Sequence, residues 1–109
     1  MNIHLPDVIA RFFLSDTAND AEGLARCFTV DAVVKDDGET RKGHDAIRDW
    51  KREYTEKYNS TVEPIAMAED CGHTVVTGHV QGDFPGSPVD LRYVFTLDSG
   101  KISALEITA

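Results

Sequence analysis

The 109-residue chain is short of cysteine, of positive charge and of long apolar runs, and each shortage excludes something. Two cysteines, Cys27 and Cys71, lie far apart with no metal-type spacing, so the chain carries neither a disulfide framework nor a zinc motif. Reduced thiols are the expectation, with a Cys27–Cys71 disulfide as the less favoured alternative. Eleven Lys and Arg stand against nineteen Asp and Glu, a formal charge of -8. A phosphate-binding surface needs a basic face; here the cations are scattered among acids, which argues against nucleic acid as a partner. No apolar stretch approaches the ~20 residues of a membrane span. Residues 1–6 lack the basic region and cleavage site of a signal peptide, so a cytoplasmic location is expected. The four histidines share no face or spacing, and neither a metal nor a cofactor is expected.

What is present is an ordinary globular composition, 41% hydrophobic and 28% charged, and a length suited to one domain over residues 1–109. Leu5, Val8, Ile9, Phe12 and Phe13 recur at helical spacing over 5–15. Asn19 with Glu22 three residues on resembles a capping box, opening a second helix that buries Ala21, Leu24, Ala25 and Phe28. A strand over 32–36 ends on Asp36. Asp37-Gly38 supplies turn chemistry, an extended piece follows at 40–42, and a third helix runs over 44–58. On that helix Ile47, Trp50, Tyr54 and Tyr58 share a face, with Lys, Arg and Glu on the others.

From residue 61 the period changes from 3.6 to 2. Strands are expected over 61–69, 74–84, 89–98 and 101–108, separated by turn signals. Helices followed by consecutive hairpins describe an α+β domain, with three helices packed on the concave face of a curved, mainly antiparallel sheet. Parity puts Leu91, Tyr93, Phe95 and Leu97 on one face, Val76, Gly78, Val80, Gly82 and Phe84 on the same side, and Ser103, Leu105 and Ile107 likewise. His79, Asp90 and Arg92 fall on the outer face, where Asp90 and Arg92 could pair. Gly78 and Gly82 either open space for a cavity or let the sheet bend.

The segments Phe28-Thr-Val-Asp31-Ala-Val-Val-Lys-Asp36, Gly43-His-Asp-Ala-Ile47-Arg-Asp-Trp50 and Tyr93-Val-Phe-Thr-Leu-Asp-Ser-Gly100-Lys-Ile102 together resemble the nuclear-transport-factor-2-like superfamily. Within it the chain is most similar to the SnoaL-like polyketide cyclase and ketosteroid isomerase branch. The resemblance covers nearly the whole chain. It implies a cone-shaped domain with a pocket between sheet and helices, and a homodimer through the outer face of the sheet. It also implies that Asp36, at the end of the first strand, occupies the position of the isomerases' general base.

Those isomerases polarise their carbonyl with a Tyr and a protonated Asp. By an ungapped count the Tyr position falls on Phe12, which has no proton to donate, and the second donor position falls on Tyr93 if a hairpin is one residue shorter. One lost oxyanion donor typically costs about 3–4 kcal/mol of barrier, which argues against steroid isomerisation. Asp36 and Tyr93 are the candidate catalytic pair. Phe12, Trp50, Tyr54, Val76, Val80, Phe84 and Phe95 are the candidate lining of a site for a small apolar or aromatic molecule.

Two functions stay open: a cofactor-independent isomerase or cyclase that moves a proton beside a carbonyl, and a non-catalytic ligand-binding or structural dimer. A base needs a perturbed pKa beside a cavity; a turn residue bonded to nearby amides needs neither. Hydrolysis by water held between an inward-facing Asp-Arg-Asp set finds no such set in the sequence.

Overall fold

The computed structural model describes residues 4–109. In chain order the elements are α1 (Asp7–Thr17), α2 (Ala21–Arg26), β1 (Phe28–Asp36), β2 (Glu39–Lys42), α3 (His44–Tyr58), β3 (Thr61–Asp70), β4 (His73–Gln81), β5 (Val89–Asp98) and β6 (Lys101–Thr108). The six strands form one curved, mixed sheet in the order β2-β1-β6-β5-β4-β3. Only the β1–β6 pair is parallel.

Local chemistry fixes the boundaries. Asp20, not Asn19, caps α2, its carboxylate accepting from the Gly23 amide at 3.0 Å. Asn19 adopts a left-handed φ of 55° and spends its side chain on Lys51 instead. Helix α2 stops at Arg26, so Phe28 belongs to a strand rather than to the helix expected to bury it. The β-prone run Phe28-Thr-Val pairs there with β6, where the Ile102 amide donates to the Cys27 carbonyl at 2.8 Å. Asp37 and Gly38, both at positive φ, make the two-residue turn into β2. Asp36 is therefore the last strand residue and stays outside the turn's centre.

Inner-face residues of the sheet and the buried sides of the helices share one core, with Phe12, Phe28, Phe95, Ile9, Leu24, Ile47, Ile102 and Leu105 essentially fully buried. Phe12 stands edge-on to Phe13, Phe28, Tyr93 and Phe95, the T-shaped geometry that aromatic quadrupoles favour. Parity holds along β4 and β5. It fails on β6, where register shifts between Thr96 and Leu97 and Ser103 is skipped. That bulge lets Ile102 and Leu105, three apart, both reach the core, where strict alternation would have separated them. On the outer face Asp90 meets His79 across the β4–β5 ladder at 2.8 Å, rather than Arg92.

The two inner-face glycines open no space. A Cβ on Gly78 would lie 2.7 Å from Val62 Cγ2 and 2.8 Å from Tyr93 Cε1. One on Gly82 would lie 2.8 Å from the Tyr58 carbonyl. Gly78 thus exists so that the Tyr93 ring can lie down on β4. Substituting Gly78→Ala should lower stability by about 1–3 kcal/mol, the usual cost of overpacking, and displace Tyr93; thermal unfolding and the Tyr93 ring resonances would show both.

Candidate functional site

Register builds one wall of the site. Asp36 pairs with Ile107 on β6, and Ile107 pairs with Tyr93 on β5, so the three stand in one row across neighbouring strands. Two strand spacings separate the backbones of Asp36 and Tyr93, about 10 Å. Above this row lies a cavity of about 590 Å³, within the size range of small-molecule sites. Its apolar lining comes from Phe12, Val62, Val80, Val89, Leu91 and Ile107 and from the aromatics Trp50, Tyr54, Tyr58, Phe84 and Tyr93; its acids are Asp16, Asp36 and Asp37.

Asp36 is half-buried, and its Oδ2 accepts the Trp50 indole N–H at 3.0 Å. Trp50 is thus both lining and tether. Burial pushes the Asp36 carboxyl above its ordinary value; the Trp50 hydrogen bond and Arg41 pull it down, and Asp37 and Glu39 push it further up. The carboxylate is bonded to a helix side chain and not to the amides of its own turn, and it faces a cavity. Tyr93 is buried, with its phenol held well above the usual range by desolvation and then by the charges of Asp16 and Asp36. Its hydroxyl therefore stays a neutral donor, within electrostatic reach of both carboxylates.

The cavity brings together Phe12, Asp36, Trp50, Tyr54, Val80, Phe84 and Tyr93 from the residues expected to form the site. Phe84 reaches it from the loop after β4 rather than from the strand, packing edge-on against Tyr58. Val76 and Phe95 do not line it. Both are fully buried core residues, Val76 beside Tyr93 in its row on β4 and Phe95 in the next inner-face row, with Phe12 and Phe13 packed on the Phe95 ring. Inner-face parity makes a residue buried, but only position along the strand decides whether it meets the cavity. His44 donates from Nε2 to the Phe28 carbonyl at 2.9 Å, and His73 contacts the Thr96 hydroxyl.

Sequence reasoning missed Asp16 and Lys51. Lys51 turns toward the core side of α3, 1% exposed, and donates to Asp16 Oδ1 at 3.0 Å, the Asp16 carbonyl at 2.9 Å and Asn19 Oδ1 at 3.2 Å. The Tyr54 hydroxyl donates to the same Asp16 Oδ1, and the ammonium sits over the Tyr54 ring. Burial raises the Asp16 pKa while Lys51 opposes the rise. The available signal was that Lys51 falls one residue after Trp50, on the edge of the apolar stripe. Among the described residues no three His, Cys, Asp or Glu side chains gather as a metal site, and no helix is long and apolar enough to cross a membrane.

The raised Asp36 pKa has a consequence for stability. From the ordinary carboxylate value of 3.8 up to its folded value, the native state holds a proton that the unfolded chain releases. Stability therefore falls as pH rises through this window. Asp36→Asn, which still accepts from Trp50, should raise the melting temperature at pH 7.5 and leave it nearly unchanged at pH 3.5. Thermal unfolding followed by circular dichroism at the two pH values checks this; an equal shift at both would mean the carboxyl titrates normally.

A SnoaL-like domain model matches residues 9–105. Among solved structures, a candidate polyketide cyclase, protein SMa1630 from Sinorhizobium meliloti, is 38% identical, with 95% of each chain covered and a TM-score of 0.92. A protein of ketosteroid isomerase-like fold from Catenulispora acidiphila, in complex with trimethylamine, is 17% identical over 97% of this chain and 87% of its own, with a TM-score of 0.85. The epoxide hydrolase/cyclase-like enzyme SalBIII, with a role in pyran ring formation in the polyether salinomycin, is 21% identical over 94% of this chain and 87% of its own, with a TM-score of 0.78. No curated protein matches the chain. The match over residues 9–105 and the 38% identity to a full-length neighbour agree: this chain belongs to the SnoaL-like domain family.

Proposed function

We propose that the chain is a cofactor-independent enzyme of the cyclase or isomerase kind, acting on an uncharged ring ketone held in the cavity of a cone-shaped domain. The observation that carries this is Asp36: a carboxylate at the end of β1, its pKa raised by burial, tethered by Trp50 and facing apolar space. A desolvated carboxylate is a stronger base than a solvated one. Asp36 takes a proton from the carbon beside a carbonyl, and the Tyr93 hydroxyl hydrogen-bonds the enolate oxygen that forms. The carbanion is then either reprotonated at another carbon, which is isomerisation, or attacks a second carbonyl of the same molecule, which closes a ring. In the closure one C–C bond forms and the new alkoxide takes the proton back. The polyketide cyclase and cyclase-like neighbours are consistent with the second outcome.

A binding-only reading has one observation in its favour. Phe12 fills the α1 position where a second donor would sit, and its ring is committed to core packing. Deuterium uptake separates the two. The protein should accelerate exchange of the α-protons of 2-tetralone over buffer, and Asp36→Asn should remove at least 10² of that acceleration, the usual span for a general base. The rate should rise as Asp36 ionises, with a midpoint above the ordinary carboxylate range, matching its titration by carbon-13 NMR. Exchange no faster than buffer, with Asp36 titrating at an ordinary value, leaves the binder as the answer.

We further propose a homodimer through the outer sheet face. Ala68, Val75 and Val94 lie in register there, on the face that also carries the His79–Asp90 pair. Sedimentation velocity should give a species of twice the chain mass, and Val94→Lys should return it to the monomer.

A further inference from the structure

Asp16 is the one carboxylate of the cavity that the proposed proton transfer does not use. It is 5% exposed and lines the same space as Asp36 and Tyr93. Both donors that reach its side chain, the Lys51 ammonium and the Tyr54 hydroxyl, bond Oδ1. Two donors on one oxygen, one of them charged, fit an ionised carboxylate. Oδ2 has no hydrogen-bond partner among the described residues, yet it is not an orphan sealed from solvent; Thr55 Oγ1 is the buried side-chain atom in that state. The Asp16 side chain lines the cavity, and Oδ2 is its unpaired oxygen. A carboxylate oxygen held at this depth needs a donor.

The chemistry of that donor follows from its surroundings. No Lys or Arg lines the cavity, and three acids do, so an anionic ligand meets only repulsion. Lys51 already neutralises Asp16 from behind, so an ammonium at Oδ2 would approach a like charge across a single carboxylate group. A neutral hydroxyl meets neither penalty. It is also the group that such a site discriminates best, because the analogue lacking it leaves Oδ2 unpaired.

We propose that Asp16 is a specificity-determining residue that accepts a hydrogen bond from a hydroxyl on the ring ligand, at a position remote from the carbon that Asp36 deprotonates. The substrate class is then a hydroxylated ring ketone rather than a bare apolar ring. Three features of the site match three of the ligand: Asp36 the acidic C–H, Tyr93 the carbonyl oxygen, Asp16 Oδ2 the hydroxyl. This inference rests on the cavity reading of the preceding subsection, and its test separates the two.

Isothermal titration calorimetry of 2-tetralone against its four ring-hydroxylated isomers measures the preference directly. The best hydroxylated isomer should bind the wild type about tenfold or more tightly than the parent, the gain expected for a hydrogen bond to a charged group. Replacing both members of the buried pair, Asp16→Leu with Lys51→Met, removes the acceptor without stranding a charge. It should reduce the preference, read as the ratio of the two affinities, to about twofold or less. Asp16→Asn, which keeps the shape and a neutral oxygen, should give a value between and serves if the double variant does not fold. Asp36→Asn should leave the hydroxyl preference intact. A residue that merely ties α1 to α3 would change stability and leave the ratio of the two affinities alone. Parent binding with no hydroxyl preference, or a preference that survives both Asp16 changes, overturns the role of Asp16 and leaves the cavity reading standing. Failure of every tetralone to bind the wild type overturns both.

Discussion

The arrangement depends on a charge pair that joins two helices through Asp16 and Lys51, 35 residues apart in sequence. Lys51 delivers its three donors to Asp16 and Asn19, so one ammonium ties the end of α1, the turn after it and the middle of α3. Taking both charges from water is expensive, and an apolar pair of similar volume would hold the helices about as well. Removing one partner is another matter, since it strands a buried charge. The pair is a geometric constraint more than a source of stability. It fixes where α1 ends relative to Trp50 and Tyr54, and so where the upper wall of the cavity stands over the sheet.

The lower wall is set by strand register. Asp36, Ile107 and Tyr93 form a row because β1 runs parallel to β6 and β6 antiparallel to β5. A slip of one residue on β1 would turn Asp36 outward, into water, and bring Lys35 inward. Gly78 completes the row by letting the Tyr93 ring approach β4. With that ring in place the phenol shares the cavity with both carboxylates, and its burial first, then their charges, raises its pKa. The upper wall tethers Asp36 through Trp50, while the lower wall carries it. Burial between the two walls raises the Asp36 pKa, while the Trp50 hydrogen bond orients the carboxylate and partly offsets that rise.

Much of this was legible in the sequence. The switch of period at residue 61, the Asp37-Gly38 turn and the Ile47-Trp50-Tyr54 stripe are local signals, and the elements they mark form where expected. Asp36 could be placed at a strand end from local signals, and the family resemblance implied its place as a base; the structure adds the alternation with buried Ala32 and Val34. The misses are tertiary. Lys51 reads as a solvated helix residue because nothing near it in sequence announces a buried carboxylate. The bulge at Ser103 changes which β6 residues are inside without any glycine to mark it. Val76 and Phe95 share a face with true lining residues, and their position along the strands, Phe95 under Phe12 of α1, makes them core.

What the family membership leaves undetermined is chemistry, and here the count of donors matters. A single neutral phenol stabilises an enolate less than two donors do, by roughly the 3–4 kcal/mol that one oxyanion donor supplies. With Phe12 committed to the core, this chain cannot recover that energy from α1. The proposed reaction can recover it from the substrate. A ketone flanked by a second carbonyl has a far more acidic C–H and needs less help at its oxygen. A ligand anchored elsewhere can be held in reacting geometry by binding energy spent away from the reaction centre. Both compensations point away from a bare steroid-like hydrocarbon with one carbonyl and toward an oxygenated ring system. In the proposed chemistry, a site with one base, one donor and a second carboxylate is matched to an easy proton and a well-anchored ring.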